Sequence, residues 1–245
     1  MKQSPFPDET PQGLHVAIVM DEDYPEDQTW GLRQYWDDQR GPAFVSRVVE
    51  AATNLGIETL TLCSFSLGHW ESSREDIGLS MERFLDNLCT DLTPMADSNT
   101  RVRVIGRKDR LSPRVIDKIE ALEYASKSKH SLTLCLAFDY SSREMLIEAV
   151  RHATVHTPPE KLACPDLSRS LGAVMGTGPS SPDVDLMIRT SRGHWLGDSL
   201  LWESAYAELF FTAKKWPEFT GKDLAEAIQE FHRRDRRFGN TVLAS

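Results

Sequence analysis

Five short strand-like runs, separated by stretches with helical spacing, limit what this chain can fold into more than any other feature. The runs are His15 to Met20, Glu58 to Phe65, Arg101 to Ile105, Ser131 to Phe138 and Val184 to Ile188. His15 to Met20 is a short apolar run, which reads as a buried parallel strand, and Glu58 to Phe65 alternates like a second strand. Between them, Pro42 to Leu55 carries Phe44, Val45, Val48, Val49 and Ala52 at helical spacing and stops at Gly56, a natural C-terminal cap. Arg74 to Asp91, Pro113 to Lys127, Arg143 to Ala153, Ser199 to Leu209 and Gly221 to Arg236 are read as helices, and a further helix is expected to begin at Pro25. Thr154 to Pro182, rich in Pro, Gly and Ser, is read as a loop or insertion. No internal repeat interrupts the order. Strands alternating with helices predict one α/β domain, a mostly parallel sheet flanked by helices on both faces.

In such a sheet, ligands bind beyond the carboxyl ends of the strands. The loops from Asp21, from Ser66 and from Arg189 are therefore expected to form the site. No Walker lysine loop and no GxGxxG follows the first strand, which removes support for an ATPase or an ordinary dinucleotide enzyme. The 28 Lys+Arg against 37 Asp+Glu give a net charge of −9, which argues against a chain built to neutralise nucleic-acid phosphates. No stretch approaches the ~20 consecutive apolar residues of a membrane span, so at most peripheral membrane contact is expected. Residues 1–13 carry three prolines and no apolar signal core. Cys63, Cys89, Cys135 and Cys164 form no CxxC pair; Cys63 and Cys135 read as small core hydrophobes, in keeping with a reduced, cytoplasmic protein.

Several stretches resemble the cis-prenyltransferase family, the undecaprenyl diphosphate synthase type. They are HVAIVMD (His15 to Asp21), GIETLTLCSFS..HW (Gly56 to Trp70), VRVIGRKDRL (Val102 to Leu111), LTLCLAFDYSSR (Leu132 to Arg143), DLMIRT (Asp185 to Thr190), LLWESAYAELFFT..KWPEF (Leu200 to Phe219) and RRDRRFGN (Arg233 to Asn240). The resemblance implies a sheet of about six strands over residues 14–240, between a disordered segment 1–13 and a tail 241–245. It also implies a hydrophobic tunnel, a homodimer, and Mg²⁺-dependent chemistry on an allylic isoprenyl diphosphate such as geranyl, farnesyl or geranylgeranyl diphosphate. By the same resemblance, Asp21 and Glu208 match metal ligands, and Ser66 and Arg189 match site residues. Arg237 and Gly239 match an R-x-G that reaches across the dimer to isopentenyl diphosphate; Arg143 is a further phosphate partner.

The chain departs from the family where relatives hold diphosphate. The family's D-G-N-G-R-W reads here Asp21-Glu22-Asp23-Tyr24-Pro25-Glu26, so a donor loop has become an acidic one. The asparagine of S-T-E-N-W is His69, an arginine after the fifth strand is Trp195, and a serine there is Gly197. A diphosphate needs arginine forks, backbone N–H groups or a metal. Asp21, Asp23 and Glu26 would have to carry Mg²⁺ between themselves and the phosphates. Alternatively, the acids cap and solvate a helix start. Trp195 offers an aromatic face to a carbocation, and His69 a proton acceptor near pH 7. Two readings follow. One is an enzyme that ionises an allylic diphosphate for irregular transfer or cyclisation, with ordinary short-chain synthesis as a variant. The other is a decayed partner subunit in a heteromer with an intact family member.

Overall fold

Six strands, all parallel, make one sheet in the order β3-β4-β2-β1-β5-β6 in the computed structural model. They are β1 (His15–Val19), β2 (Thr59–Cys63), β3 (Thr100–Ile105), β4 (Leu132–Ala137), β5 (Leu186–Arg189) and β6 (Glu208–Phe211). The structure describes residues 13–20, 40–63, 74–96, 99–128, 131–177 and 183–234. The helix expected from Pro25, residues 1–12 and the tail 241–245 lie outside these. β1 lies between β2 and β5 and is buried along its whole length, as its unbroken apolar run requires.

Four helices cover one face: α1 (Arg40–Asn54), α2 (Arg74–Ala96), α3 (Pro113–Ala125) and α6 (Gly221–Arg233). Val45, Val48, Val49 and Ala52 of α1 form the stripe that the sequence spacing predicts, and all four are buried. Together with Ile18, Leu60, Leu62 and Ile188 they enter one core, each fully buried side chain contributing about 1.5–3 kcal/mol. The other face is covered by α4 (Ser142–His156) and α5 (Cys164–Met175), through Met145, Ala149, Leu171 and Met175. Cys63 and Cys135 are buried as expected, Cys89 is buried too, and all four cysteines are free thiols. Among the described residues no helix is long and apolar enough to cross a membrane.

Two expectations are corrected. The span read as a loop, Thr154 to Pro182, holds the end of α4 and all of α5. Leu167, Leu171 and Met175 of α5 recur every four residues, and Gly176 caps it at φ 67°, so the signal was present but masked by Pro and Ser. The span read as a helix, Ser199 to Leu209, is instead a set of turns ending in β6. Its backbone is diverted by tertiary partners: the Leu201 N–H donates to Ser142 Oγ at 2.9 Å, and the Glu203 carbonyl accepts from Val184 N–H at 2.8 Å. Leu200 stands at φ 49°, where no right-handed helix passes.

The start of α6 is pinned beside the sheet. Asp223 accepts hydrogen bonds from Thr220 N–H at 2.9 Å and Thr220 Oγ1 at 2.7 Å, and pairs with Lys214 Nζ. Burial alone raises the Asp223 carboxyl; the hydrogen bonds from Lys214 and Thr220 outweigh it and hold the group below the ordinary carboxylate range. The folded state therefore gains stability from Asp223 above its unfolded pKa near ~3.9, and loses it as pH falls through the lower folded value. Asp223→Asn is expected to cost about 1 kcal/mol at pH 7. Denaturant midpoints measured from pH 7 to pH 3 should show this difference shrinking at the acid end.

Candidate functional site

β1, β2 and β5 end side by side. Val19 is in register with Cys63 on one side and with Arg189 on the other. With strands about 4.8 Å apart, the three ends lie within about 10 Å of each other. The ends are also tied together by hydrogen bonds. Met20 N–H donates to the Cys63 carbonyl at 3.0 Å, and Thr190 donates to the Val19 carbonyl from N–H at 3.2 Å and from Oγ1 at 3.1 Å. The loops nominated from sequence thus leave the sheet from neighbouring points on its carboxyl edge.

Arg189 is the charged side chain that β5 delivers to this edge, and it is only 5% exposed. The loop after it closes around the guanidinium. The Trp195 ring lies over it, 4.5 Å from Cζ to the ring centroid. Gly193 backs it so closely that a Cβ there would sit 2.6 Å from Nε and 3.1 Å from Cζ. Gly197, at φ 69°, is alongside: a Cβ would be 3.7 Å from Nη1. The two positions read from sequence as lost phosphate ligands, Trp195 and Gly197, therefore both pack around the arginine that is kept. Such a cation–π contact is worth ~0.5–2 kcal/mol and fixes the plane of the fork. It also changes the expectation for Trp195: the ring is 62% exposed, but a face of it is held by Arg189.

Arg143 opens α4, and its side chain is exposed. Asp198 ties this helix start to the Arg189 loop: its carboxylate accepts from Ser141 Oγ at 2.6 Å and from Arg143 N–H at 3.2 Å, and its carbonyl accepts from Ser142 N–H at 3.1 Å. Glu208 is placed elsewhere. It begins β6 in register with Leu186, three residues before Arg189 along the strand direction, and its carboxylate pairs with Arg234 at 3.3 Å. The structure does not bring it to the carboxyl edge of its own chain. Asp21, Asp23, Glu26, Ser66, His69, Arg237 and Gly239 lie outside the described residues. Among the described residues no three His, Cys, Asp or Glu side chains converge on a metal position.

Two residues here were not singled out from sequence. His194, exposed in the Arg189 loop, stands with its ring 5.3 Å from that of Phe211, the β6 residue in register with Arg189. Its signal was position: a histidine in a loop leaving the carboxyl edge. Asp198 had no such signal, because its partners come from the helix start 55 to 57 residues earlier. Cys63, at the end of β2, is not a nucleophile: burial, opposed by a hydrogen bond to Ser199, pushes its thiol up to about 12. The described edge offers cationic and hydrogen-bonding groups, suited to holding an anion.

The likeness to known proteins agrees with this arrangement. Residues 28–239 match the family model described as "Putative undecaprenyl diphosphate synthase". Isoprenyl transferase 1 of Bradyrhizobium diazoefficiens is 38% identical over 227 residues, covering 92% of this chain and 89% of that protein. The ditrans,polycis-undecaprenyl-diphosphate synthase ((2E,6E)-farnesyl-diphosphate specific) of Vibrio parahaemolyticus is 33% identical over 236 residues, covering 96% and 93%. Among solved structures, lavandulyl diphosphate synthase from Lavandula x intermedia, in complex with dimethylallyl diphosphate, superposes with a TM-score of 0.80 at 26% identity, covering 92% of this chain and 98% of that one.

Proposed function

Since the chain belongs to the cis-prenyltransferase family of undecaprenyl diphosphate synthases, we propose that it is an ordinary isoprenyl transferase, joining an allylic isoprenyl diphosphate to isopentenyl diphosphate. Prenyl transfer is the chemistry its relatives support. Those relatives are named as transferases and synthases, so the cyclisation suggested by the acidic loop is set aside. The observation that carries the reading is the buried Arg189, in register with the end of β1 and held by its loop.

Three bond changes make up the transfer. The allylic carbon–oxygen bond breaks and diphosphate leaves, the isopentenyl double bond attacks that carbon, and a proton departs from the resulting cation. Arg189 answers the charge on a diphosphate with a fork whose orientation is already fixed, so little reorganisation is left for the reaction. Arg143, whose backbone N–H is held by Asp198 at the start of α4, supplies a second positive charge. His194 is a candidate acceptor for the departing proton. Arg237 and Gly239 remain proposed contacts to a second diphosphate across a homodimer.

The donor set of the acidic loop suits a hard cation. Asp21, Asp23 and Glu26 would hold Mg²⁺, which would neutralise the leaving diphosphate. Glu208, paired with Arg234 at the start of β6, is not included in that set. Ser66 and His69 stay as proposed contacts from the β2 loop.

The test is direct. Purified protein with Mg²⁺ and labelled isopentenyl diphosphate is incubated with dimethylallyl, geranyl, farnesyl or geranylgeranyl diphosphate. Label is expected in a longer prenyl diphosphate only when both substrates are present. Consumption of an allylic diphosphate without isopentenyl diphosphate would instead indicate cyclisation. Turnover that appears only beside a second family member would make the chain a partner subunit.

A further inference from the structure

We propose that His152 and His156 form a binding site for a borderline transition-metal ion at the carboxyl end of α4. The two residues are four apart on one helix, so their side chains stack on one face across a single turn. Both are exposed, and their rings meet edge to face with centroids 5.7 Å apart. Two imidazoles on a tetrahedral ion, with bonds of about 2.0–2.1 Å, bring their centroids to about 5 Å. A small rotation of either ring closes the difference.

Two further features prepare the pair for a cation. Ser170 of α5, itself buried, lies with its Oγ 3.2 Å from Nδ1 of His152. With the Nδ1 proton donated to this hydroxyl, Nε2 of His152 is the nitrogen presented to a metal, and the ring is held in orientation by its outer partner. His156 is the last residue of α4, where unpaired carbonyls and the helix dipole favour positive charge.

The ligand class follows from the donors. Neutral imidazole nitrogens suit Zn²⁺, Ni²⁺ and Cu²⁺, whereas Mg²⁺ takes oxygen ligands and keeps its waters. Among the described residues no third ligand converges here, so water completes the coordination. The site is also remote from the proposed diphosphate site. Arg143 lies nine residues before His152 on the same helix, about 14 Å along the axis at ~1.5 Å per residue. Metal bound here would therefore bridge the last turn of α4 and stiffen the end that Ser170 joins to α5.

Calorimetric titration of untagged, chelator-treated protein with Ni²⁺ and with Zn²⁺ tests this. One equivalent is expected to bind, with no competition from Mg²⁺. His152→Ala and His156→Ala should each weaken binding by at least about tenfold, the least that loss of even an outer-shell partner usually costs. Both variants should retain prenyl transfer, which also reports that they fold. Undiminished binding in the double variant, or no saturable binding by the wild-type protein, would overturn the proposal. Should an alanine variant fail to fold, electron paramagnetic resonance of the Cu²⁺-loaded wild-type protein decides: two equatorial imidazole nitrogens are expected, and fewer than two would refute the site.

Discussion

Arg189→Ala is expected to lower kcat/KM for prenyl transfer by about 10²–10³, the usual consequence of removing one preorganised group that faces developing charge. The reason is in the packing. Arg189 is buried at the end of β5, with the Trp195 ring over it and the Gly193 backbone against it, so the position and plane of its fork are fixed before substrate arrives. Arg189→Lys should recover only part of the loss, because an ammonium keeps the charge but not the planar fork that stacks on Trp195. Gly193→Ala is a second route to the same defect. Its Cβ would fall 2.6 Å from Nε, and the guanidinium would have to leave its position while remaining charged. Steady-state kinetics on both substrates, with thermal melts on the same preparations, separate a lost contact from a lost fold. Wild-type kcat/KM in Arg189→Ala would remove this residue from the site.

Gly106→Ala is expected to be the most destabilising single methyl addition among the described glycines. Gly106 follows β3 at φ 107°, and an added Cβ would lie 2.0 Å from the Phe138 carbonyl oxygen and 3.1 Å from its carbon. Both contacts are backbone, so no side-chain rotation relieves them. The same crossing is fixed by Phe138 N–H donating to Ile105 at 2.9 Å and Arg107 N–H donating to Asp139 at 3.3 Å. Shifting the backbone would part the ends of β3 and β4. A strained residue of this kind costs ~1–3 kcal/mol before the clash is added, so at least about 3 kcal/mol is expected. For a chain of this size that lowers Tm by at least ~6–12 °C. Gly56→Ala is the control. Gly56 is at φ 72° with nothing within 4 Å of a Cβ, so only the conformational cost of about 1 kcal/mol applies. Equal losses in the two variants would show that the contact with Phe138 is not what demands glycine at position 106.

The first five strands were legible as short segments whose apolar residues run on or alternate, and the helices on the four-helix face because their apolar residues repeat on one side. Val45, Val48, Val49 and Ala52 illustrate this: the spacing that suggests a helix is the spacing that buries it. Ser199 to Leu209 shows where the argument fails. Its apolar residues have helical spacing, yet Ser142, Ser168 and Val184 supply hydrogen-bond partners from other elements and hold the segment in turns. The Arg189 site was legible only in part. Arg189 and Trp195 were both singled out, but as separate ligands for a substrate, when the ring in fact covers the guanidinium.

The order of the first five strands and of the described helices on the four-helix face was determined by the sequence, because each depends on residues close together in the chain; the sequence also nominated the carboxyl edge and the acidic loop from Asp21 for a ligand. The tertiary structure decided the rest. It set Val19 between Cys63 and Arg189, joined Asp198 to the start of α4, turned Glu208 toward Arg234, and wrapped the 190–198 loop around a single arginine. These relations depend on sheet order and on partners distant in sequence, and no local periodicity encodes such a distance.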